Sequence, residues 1–303
     1  MAANKQWKDL LAPRYWPSWL GIGLLRVAIL LPMPVQDMLG RLLGRLLYAV
    51  IRDRRVIASV NIAACFPELP AAERKRLVKE HFESLGIGLF EMAMAWWASD
   101  RRLAVLVDVD GIEHLKAAID QGKGAILLSA HFTTLEIGCR FVLGVFPFHP
   151  MYRHPKNEVV AYVTQGSRER LSGTAIHKDD VRSLLRSLKM NHAVWYAPDQ
   201  AARGKMAADV PFFGIDAPTN LATSRLARMS GAPVLPFIQQ RLDNGHYRVE
   251  ILPPLDDFPS EDVINDAKRI NDQIEQWVRR APGQYLWIHR RFKGAGLDYP
   301  ARG

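Results

Sequence analysis

The chain has 303 residues, 49% of them apolar and 23% charged, which is enough for one large folded domain or two small ones. This composition, with no low-complexity tract, excludes a disordered or collagen-like protein. Forty Lys and Arg against 31 Asp and Glu give a net charge of +9. That excess favours an acidic partner (an anionic membrane, a phosphorylated ligand, an acidic protein or a nucleic acid), although it also serves solubility alone.

The two cysteines, Cys65 and Cys139, show no spacing typical of a metal site and are too few for a disulfide framework. A reducing compartment such as the cytoplasm therefore fits best.

The amino-terminal region contains the most apolar stretch of the chain. Residues 19–31 form a run interrupted by Arg26, about 20 Å long as a helix, which is short of the ~30 Å hydrocarbon core. Residues 35–51 place leucines at helical spacing with Arg41 and Arg45 between them. We predict membrane-associated helices over residues 1–55, acting as an in-plane or shallow anchor. A helical hairpin packed on the catalytic domain explains the same pattern.

The rest of the chain alternates between helical patterns and short apolar runs. Helices are predicted over 71–99, 112–121, 179–190, 219–230 and 263–280, and strands over 104–110, 124–130, 192–197, 233–238 and 247–252. The pattern predicts an α/β fold with a mixed central sheet flanked by helices, as one domain over residues 56–303.

His131 and Glu136 follow the predicted strand 124–130, at the start of a helix. A histidine at the carboxyl edge of a sheet can remove a proton from a hydroxyl group, and a carboxylate can fix its tautomer. The pair requires His131 in the turn and Glu136 in the first helical turn. The spacing alone is weak evidence, because chance produces such a pair in a chain of this composition. The alternative is a capping box formed by residues 133–136.

Further motifs occur in a fixed order along the chain: Met151-Tyr-Arg153 with Asn157, Ala197-Pro-Asp-Gln200, and residues 283–293 with the sequence GQYLWIHRRFK. Together with His131-x4-Glu136, they resemble the lipid A late acyltransferases, within the glycerolipid acyltransferase-like superfamily. The similarity extends from about residue 19 to residue 293. Glutamate at the fifth position is usual in that family, whereas the members that act on glycerol phosphates commonly have aspartate.

The resemblance implies a mechanism and a site. His131 would be the general base, oriented by Glu136, for transfer of a fatty acyl group from acyl carrier protein to a hydroxyl of a lipid A precursor, giving an acyloxyacyl ester. Arg153 is the candidate for the oxyanion or a nearby phosphate, and Asn157 and Asp199 for positioning the acceptor. Arg290 and Arg291 belong, with His289 and Lys293, to a basic cluster that would face lipid phosphate or the acidic carrier protein; a solvated surface run is the alternative. No metal and no cofactor are expected.

The resemblance also implies the inner membrane as the location, with the catalytic domain on the cytoplasmic face. The oligomeric state has no signature in the sequence. An acceptor that is a phospholipid, an aminolipid or another glycolipid remains an alternative. A basic nucleic-acid-binding protein is the alternative from a different class, but the cations are dispersed and no nucleic-acid-binding motif is present.

Overall fold

A computed structural model describes residues 7–172 and 174–300. The ends of the two predicted domains, residues 1–6 and 301–303, therefore lie outside the described residues. The helices are α1 (Trp16–Ala28), α2 (Met33–Val50), α3 (Arg52–Cys65), α4 (Ala71–Trp97), α5 (Asp100–Ala104), α6 (Ile112–Asp120), α7 (Leu135–Leu143), α8 (Glu158–Ser172), α9 (Val181–Lys189), α10 (Ala222–Ser230) and α11 (Val263–Arg280). The strands are β1 (Val107–Asp110), β2 (Ala125–Leu128), β3 (Phe148–Tyr152), β4 (Ile176–His177), β5 (Ala193–Tyr196), β6 (Ala207–Phe212), β7 (Ile215–Asn220), β8 (Val234–Arg241) and β9 (Tyr247–Ile251).

The central sheet has the strand order β1-β9-β8-β2-β5-β3-β4. Strands β8, β2, β5, β3 and β4 are parallel, whereas β9 runs antiparallel to β8 and pairs in parallel with β1. The predicted mixed α/β sheet is confirmed. Strands β2 and β5 are buried at every position, as continuous apolar runs in the middle of a sheet should be.

Helices cover both faces of this sheet. On one face, Leu184 of α9, Leu226 of α10 and Ile274 of α11 pack with β2 and β5 in one buried cluster. On the other face, α6, α7 and the end of α4 pack with the alternate side chains of the same strands. The side chains at the carboxyl edge of the parallel strands are therefore held on a rigid base.

Two predicted elements start clearly later in the structure than the sequence pattern predicted. The strand predicted over 104–110 begins only at Val107, because Ser99 caps the short helix α5 that precedes it. The helix predicted from residue 219 begins at Ala222, because residues 215–220 form β7, which pairs with β6 in a hairpin that the sequence pattern did not predict. The predicted domain boundary at residue 55 falls inside α3.

Helices α1 and α2 pack against α4 and expose a row of apolar side chains on their other side. This row includes Trp16, Leu20, Leu24, Val27, Leu42 and Leu46. The two helices thus pack on the rest of the protein and have one apolar exposed side, while membrane association stays a prediction. Across residues 7–172 and 174–300, no helix combines the length and apolarity needed to span a bilayer.

Glycines allow α2 to approach α4 closely. A Cβ atom added at Gly86 of α4 would lie 2.0 Å from the carbonyl oxygen of Gly40 and 2.5 Å from the amide nitrogen of Gly44, both in α2. Such distances cannot be relieved by rotating a side chain, because both neighbouring atoms belong to the backbone.

Gly86→Ala is therefore expected to lower the free energy of unfolding by about 2–3 kcal/mol, since overpacking at a rigid contact separates the helices. Urea denaturation followed by circular dichroism measures the change. Gly166→Ala is the matched control, because this helical glycine of α8 has no atom within 4 Å of the added Cβ. The control should gain about 0.5–1 kcal/mol from helix propensity. Equal effects of the two substitutions would contradict the close contact.

Candidate active site

His131 lies in the turn between β2 and α7, at the carboxyl edge of the sheet. The carboxyl-terminal segment holds this turn in place. The amide of Leu286 donates to the carbonyl of His131 at 2.9 Å, and the amide of Thr133 donates to the carbonyl of Gln284 at 2.7 Å. The segment that resembles the family's terminal motif therefore shapes the backbone around the histidine.

Asp199 contacts His131 directly. The residue follows β5, the strand next to β2, so both side chains start from the same edge of the sheet. The Oδ1 atom lies 2.6 Å from His131 Nδ1, and the Oδ2 atom accepts the backbone N–H of His131 at 3.0 Å. A carboxylate can only accept hydrogen bonds, so Nδ1 carries the hydrogen and Nε2 keeps its lone pair. The His131 side chain is 28% exposed and that of Asp199 only 2%, so the histidine is accessible and its partner is not.

The two groups shift each other's pKa values. Burial lowers the pKa of His131, but the charge and the hydrogen bond of Asp199 outweigh burial, and the net pKa is raised. Burial raises the pKa of Asp199, but His131 and its hydrogen bonds reverse that effect, and the net pKa is lowered. The arrangement therefore stabilises an imidazolium next to a carboxylate, which is the state that a histidine reaches after it removes a proton.

Glu136 lies in the first turn of α7, as predicted, but its carboxylate pairs with Arg168 of α8. The guanidinium is bidentate, with Nε–Oε1 at 3.2 Å and Nη2–Oε2 at 2.7 Å. The sequence prediction gave Glu136 the task of orienting His131, whereas in the structure the carboxylate next to His131 belongs to Asp199. Participation of Glu136 in catalysis stays a prediction. The capping-box alternative is wrong, because no side chain caps the start of α7.

Arg153 and Asn157 lie beyond the end of β3, in the segment that leads to α8. Arg153 is exposed at the same edge of the sheet as His131. Asn157 caps α8: its Oδ1 accepts the backbone N–H groups of Val159 and Val160, and its Nδ2 donates to Ser18 of α1 at 2.8 Å. These contacts give Asn157 a structural task.

The structure places the Arg291 guanidinium inside the protein, and its predicted contact with phosphate or carrier protein stays a prediction. Arg291 is 2% exposed and donates to the carbonyl of Pro218 at 2.8 Å and to Thr219 Oγ1 at 2.9 Å. Its guanidinium also lies 4.9 Å from the centre of the Phe212 ring. Arg290 is half-buried and donates to the carbonyl of Pro300. Sequence spacing did not reveal this, because consecutive residues in an irregular segment point in different directions.

A cavity of about 760 Å³ lies beside the His131 turn, at the carboxyl end of β8. Ser84 of α4 lines the cavity, and its Oγ lies 2.7 Å from Thr133 Oγ1, two residues after His131. Arg241 lines it as well and pairs with Glu91 at 2.6 Å. The cavity is thus connected to the turn through Thr133, whereas His131 and Asp199 do not line it. Within the part of the chain that the structure describes, no three His, Cys, Asp or Glu side chains are placed to bind a metal.

Comparison with known proteins identifies the family. The model of the bacterial lipid A biosynthesis acyltransferases matches residues 3–294. A lipid A biosynthesis lauroyltransferase from Escherichia coli K12 is 38% identical, with 97% of this chain and 96% of the relative covered. This chain belongs to the bacterial lipid A biosynthesis acyltransferases. A palmitoleoyltransferase of the same organism is 37% identical over 94% of both chains, and a relative from Haemophilus influenzae is 33% identical over 93% and 92%.

One residue near this acyltransferase's site, Arg168, escaped the sequence analysis, and another, His289, was included only as a member of the predicted basic cluster. Arg168 is 32 positions from Glu136, and no pattern connects a residue of α8 with one of α7. His289 accepts the backbone N–H of Ala201 through Nε2 at 3.2 Å, just after Asp199. Burial lowers the pKa of His289 to about 4, despite the charge of Asp199, so the ring is neutral and able to accept that hydrogen bond. Because the segment 289–293 is rich in basic residues, the sequence did not indicate that His289 would be neutral.

Glu136→Ala is expected to destabilise the acyltransferase by about 2–3 kcal/mol, because it removes the bidentate carboxylate from the guanidinium of Arg168, whose side chain is only 17% exposed. The double variant Glu136→Ala/Arg168→Met should cost less than the sum of the two single changes, since it leaves no charge behind. Urea denaturation of the wild type, the two single variants and the double variant measures this coupling. Additive effects would show that the ion pair contributes nothing to stability.

Proposed function

We propose that this protein transfers a fatty acyl group from the thioester of acyl carrier protein to a hydroxyl group of a lipid A precursor, with His131 as the general base. The contact of 2.6 Å between His131 Nδ1 and the buried Asp199 carries the proposal, because it leaves Nε2 accessible and basic. Two relatives of nearly equal identity are named for different acyl groups, so the proposal specifies no chain length.

The reaction needs no covalent intermediate with the protein. His131 Nε2 takes the proton of the acceptor hydroxyl while the oxygen attacks the thioester carbonyl. The tetrahedral intermediate collapses, the ester forms, and the thiolate of the carrier leaves and takes the proton from His131. Asp199 holds the ring and stabilises its positive charge, as the carboxylate does in a catalytic triad. Arg153, exposed at the same edge, is the proposed partner of the developing oxyanion or of an acceptor phosphate.

The test uses detergent-solubilised protein, acyl carrier protein loaded with fatty acids of several lengths, and a lipid A precursor, with products weighed by mass spectrometry. The expected result is a mass gain of one acyl group, lost in His131→Ala. Transfer to a phospholipid or an aminolipid in place of the precursor would contradict the acceptor. Transfer from acyl coenzyme A but not from the carrier protein would contradict the donor.

The proposal also places the protein at the inner membrane, with the catalytic domain on the cytoplasmic face. The exposed apolar row of α1 and α2 supports this placement, since an amphipathic hairpin can lie in the interface of a bilayer. Leu24→Glu/Leu46→Glu is expected to weaken sedimentation with phospholipid vesicles about tenfold or more. Val145→Glu, an exposed apolar residue outside the row, should have no such effect. Equal binding of wild type and the double variant would contradict the interface.

A further inference from the structure

Helix α9 presents one basic side and one apolar side. Arg182, Arg186 and Lys189 recur at i, i+4 and i+7, which places them within about 60° of one another around the helix axis. All three are exposed. Leu184 and Leu188 lie on the opposite side and are buried against the sheet. The packing of the leucines therefore fixes the direction in which the cations point.

Neighbouring segments extend this positive surface. Helix α10 packs beside α9 and carries the exposed Arg225, whose Nη1 lies 3.5 Å from Met206 Sδ. Met206 ends the loop after β5, and that loop carries two more exposed cations, Arg203 and Lys205. We call this surface the basic face; it consists of Arg182, Arg186, Lys189, Arg203, Lys205 and Arg225.

Three acidic residues near the basic face make contacts outside it. Asp179 pairs with Lys178 at 2.6 Å, and Asp180 accepts the backbone N–H of Ser183 at 2.9 Å as the cap of α9. Glu261 pairs with Arg228 of α10. Over the described parts of the chain, no member of the basic face has a carboxylate oxygen within 4.0 Å. The face therefore keeps its positive potential for a partner.

The basic face borders the candidate active site. Arg203 is four residues after Asp199, on the loop that leaves the carboxyl end of β5. Helix α9 also begins at this edge, immediately after β4. The basic face therefore begins at the same edge of the sheet as His131.

We infer that the basic face is the docking surface for acyl carrier protein, an acidic protein; this inference rests on the donor in the proposed function. Charge complementarity supports it, because the basic face carries six exposed cations. The exposed apolar residues nearby, Val181, Met190 and Met229, lie at helix ends, not in a row as on α1 and α2. The basic face therefore suits an acidic protein better than the interior of a lipid interface.

The test reverses two charges on α9 and two elsewhere. Arg182→Glu/Arg186→Glu changes the basic face, and Lys75→Glu/Lys79→Glu makes the same charge change with the same spacing on exposed positions of α4. Two donors with the same acyl chain are compared: acyl carrier protein and acyl pantetheine, which has no protein and no charge. Binding of the unacylated carrier protein is measured separately by fluorescence anisotropy at several salt concentrations.

In the α9 variant, the KM for acyl carrier protein is expected to rise about tenfold or more, and carrier binding should weaken equally and lose most of its salt dependence. Its kinetics with acyl pantetheine and the behaviour of the α4 variant should stay unchanged. Retained carrier affinity, or an equal loss with acyl pantetheine, would overturn the inference. If the α9 variant retains carrier binding but loses binding to anionic vesicles, the basic face contacts the membrane, and that result would also overturn the inference. If carrier binding depends on α9 but the wild type does not acylate the lipid A precursor, the docking surface is supported and the proposed acceptor is wrong.

Discussion

Acyl transfer by His131→Ala should be about 10³-fold slower than wild type, because the acceptor hydroxyl loses the only group in the turn placed to take its proton. The side chain is 28% exposed and makes its hydrogen bond through Nδ1 with Asp199 alone, so its removal leaves the core intact. The measurement is kcat for formation of the acylated precursor, followed by mass spectrometry. Near-ultraviolet circular dichroism checks the fold.

His131→Ala also leaves the buried Asp199 carboxylate without one of its hydrogen-bond donors, so a second variant is needed. His131→Gln retains a donor near Asp199 and provides a second variant with the same expected loss of activity. Activity within about tenfold of wild type in both folded variants would overturn the assignment of His131 as general base.

Asp199→Asn should lower kcat by a similar factor, about 10³-fold, while the shape of the site is preserved. Oδ2 of Asp199 accepts the backbone N–H of His131 at 3.0 Å, so the single oxygen of an asparagine is expected to stay there. Its NH2 group then faces Nδ1 and donates to it. The hydrogen of His131 moves to Nε2, and the ring can no longer accept the proton of the acceptor hydroxyl.

The pH profile gives the same variant a second readout. The general base works when His131 is neutral, so activity rises as the pH passes through its pKa. In wild type, Asp199 raises that pKa against the opposing effect of burial. Without the negative charge, only burial remains, so the acidic limb of kcat/KM should move to lower pH in Asp199→Asn. A limb that moves to higher pH, or stays fixed, would contradict the role of Asp199.

Glu136→Gln in the same assay separates the two carboxylates. Because Glu136 contacts Arg168, we expect this substitution to leave the acidic limb in place, whatever its effect on kcat. A shift of the limb in Glu136→Gln but not in Asp199→Asn would return the orienting role to Glu136, as the sequence pattern suggested.

Local sequence information determined much of the fold. The apolar run of β2 and the helical spacing of α11 were sufficient to predict these elements, because a strand buried on both faces and a long amphipathic helix leave distinct periodicities. The same information placed His131 in the turn after β2 and Glu136 in the first turn of α7. The short strands β3 and β4 were not predicted, because their stability comes from pairing with strands that are distant along the chain. The β6–β7 hairpin was not predicted either, although its two strands are neighbours in the sequence.

The partners of the site residues were decided by the tertiary structure alone. His131 and Asp199 are 68 positions apart, and only the parallel pairing of β2 with β5 brings their strand ends together. The packing of α7 against α8 likewise brings the carboxylate of Glu136 into contact with Arg168. The sequence by itself was sufficient to identify the motifs typical of the family and the histidine that performs the proposed chemistry. The sheet order decided which carboxylate serves that histidine, because hydrogen bonds depend on distances in space, and separation along the chain does not fix them.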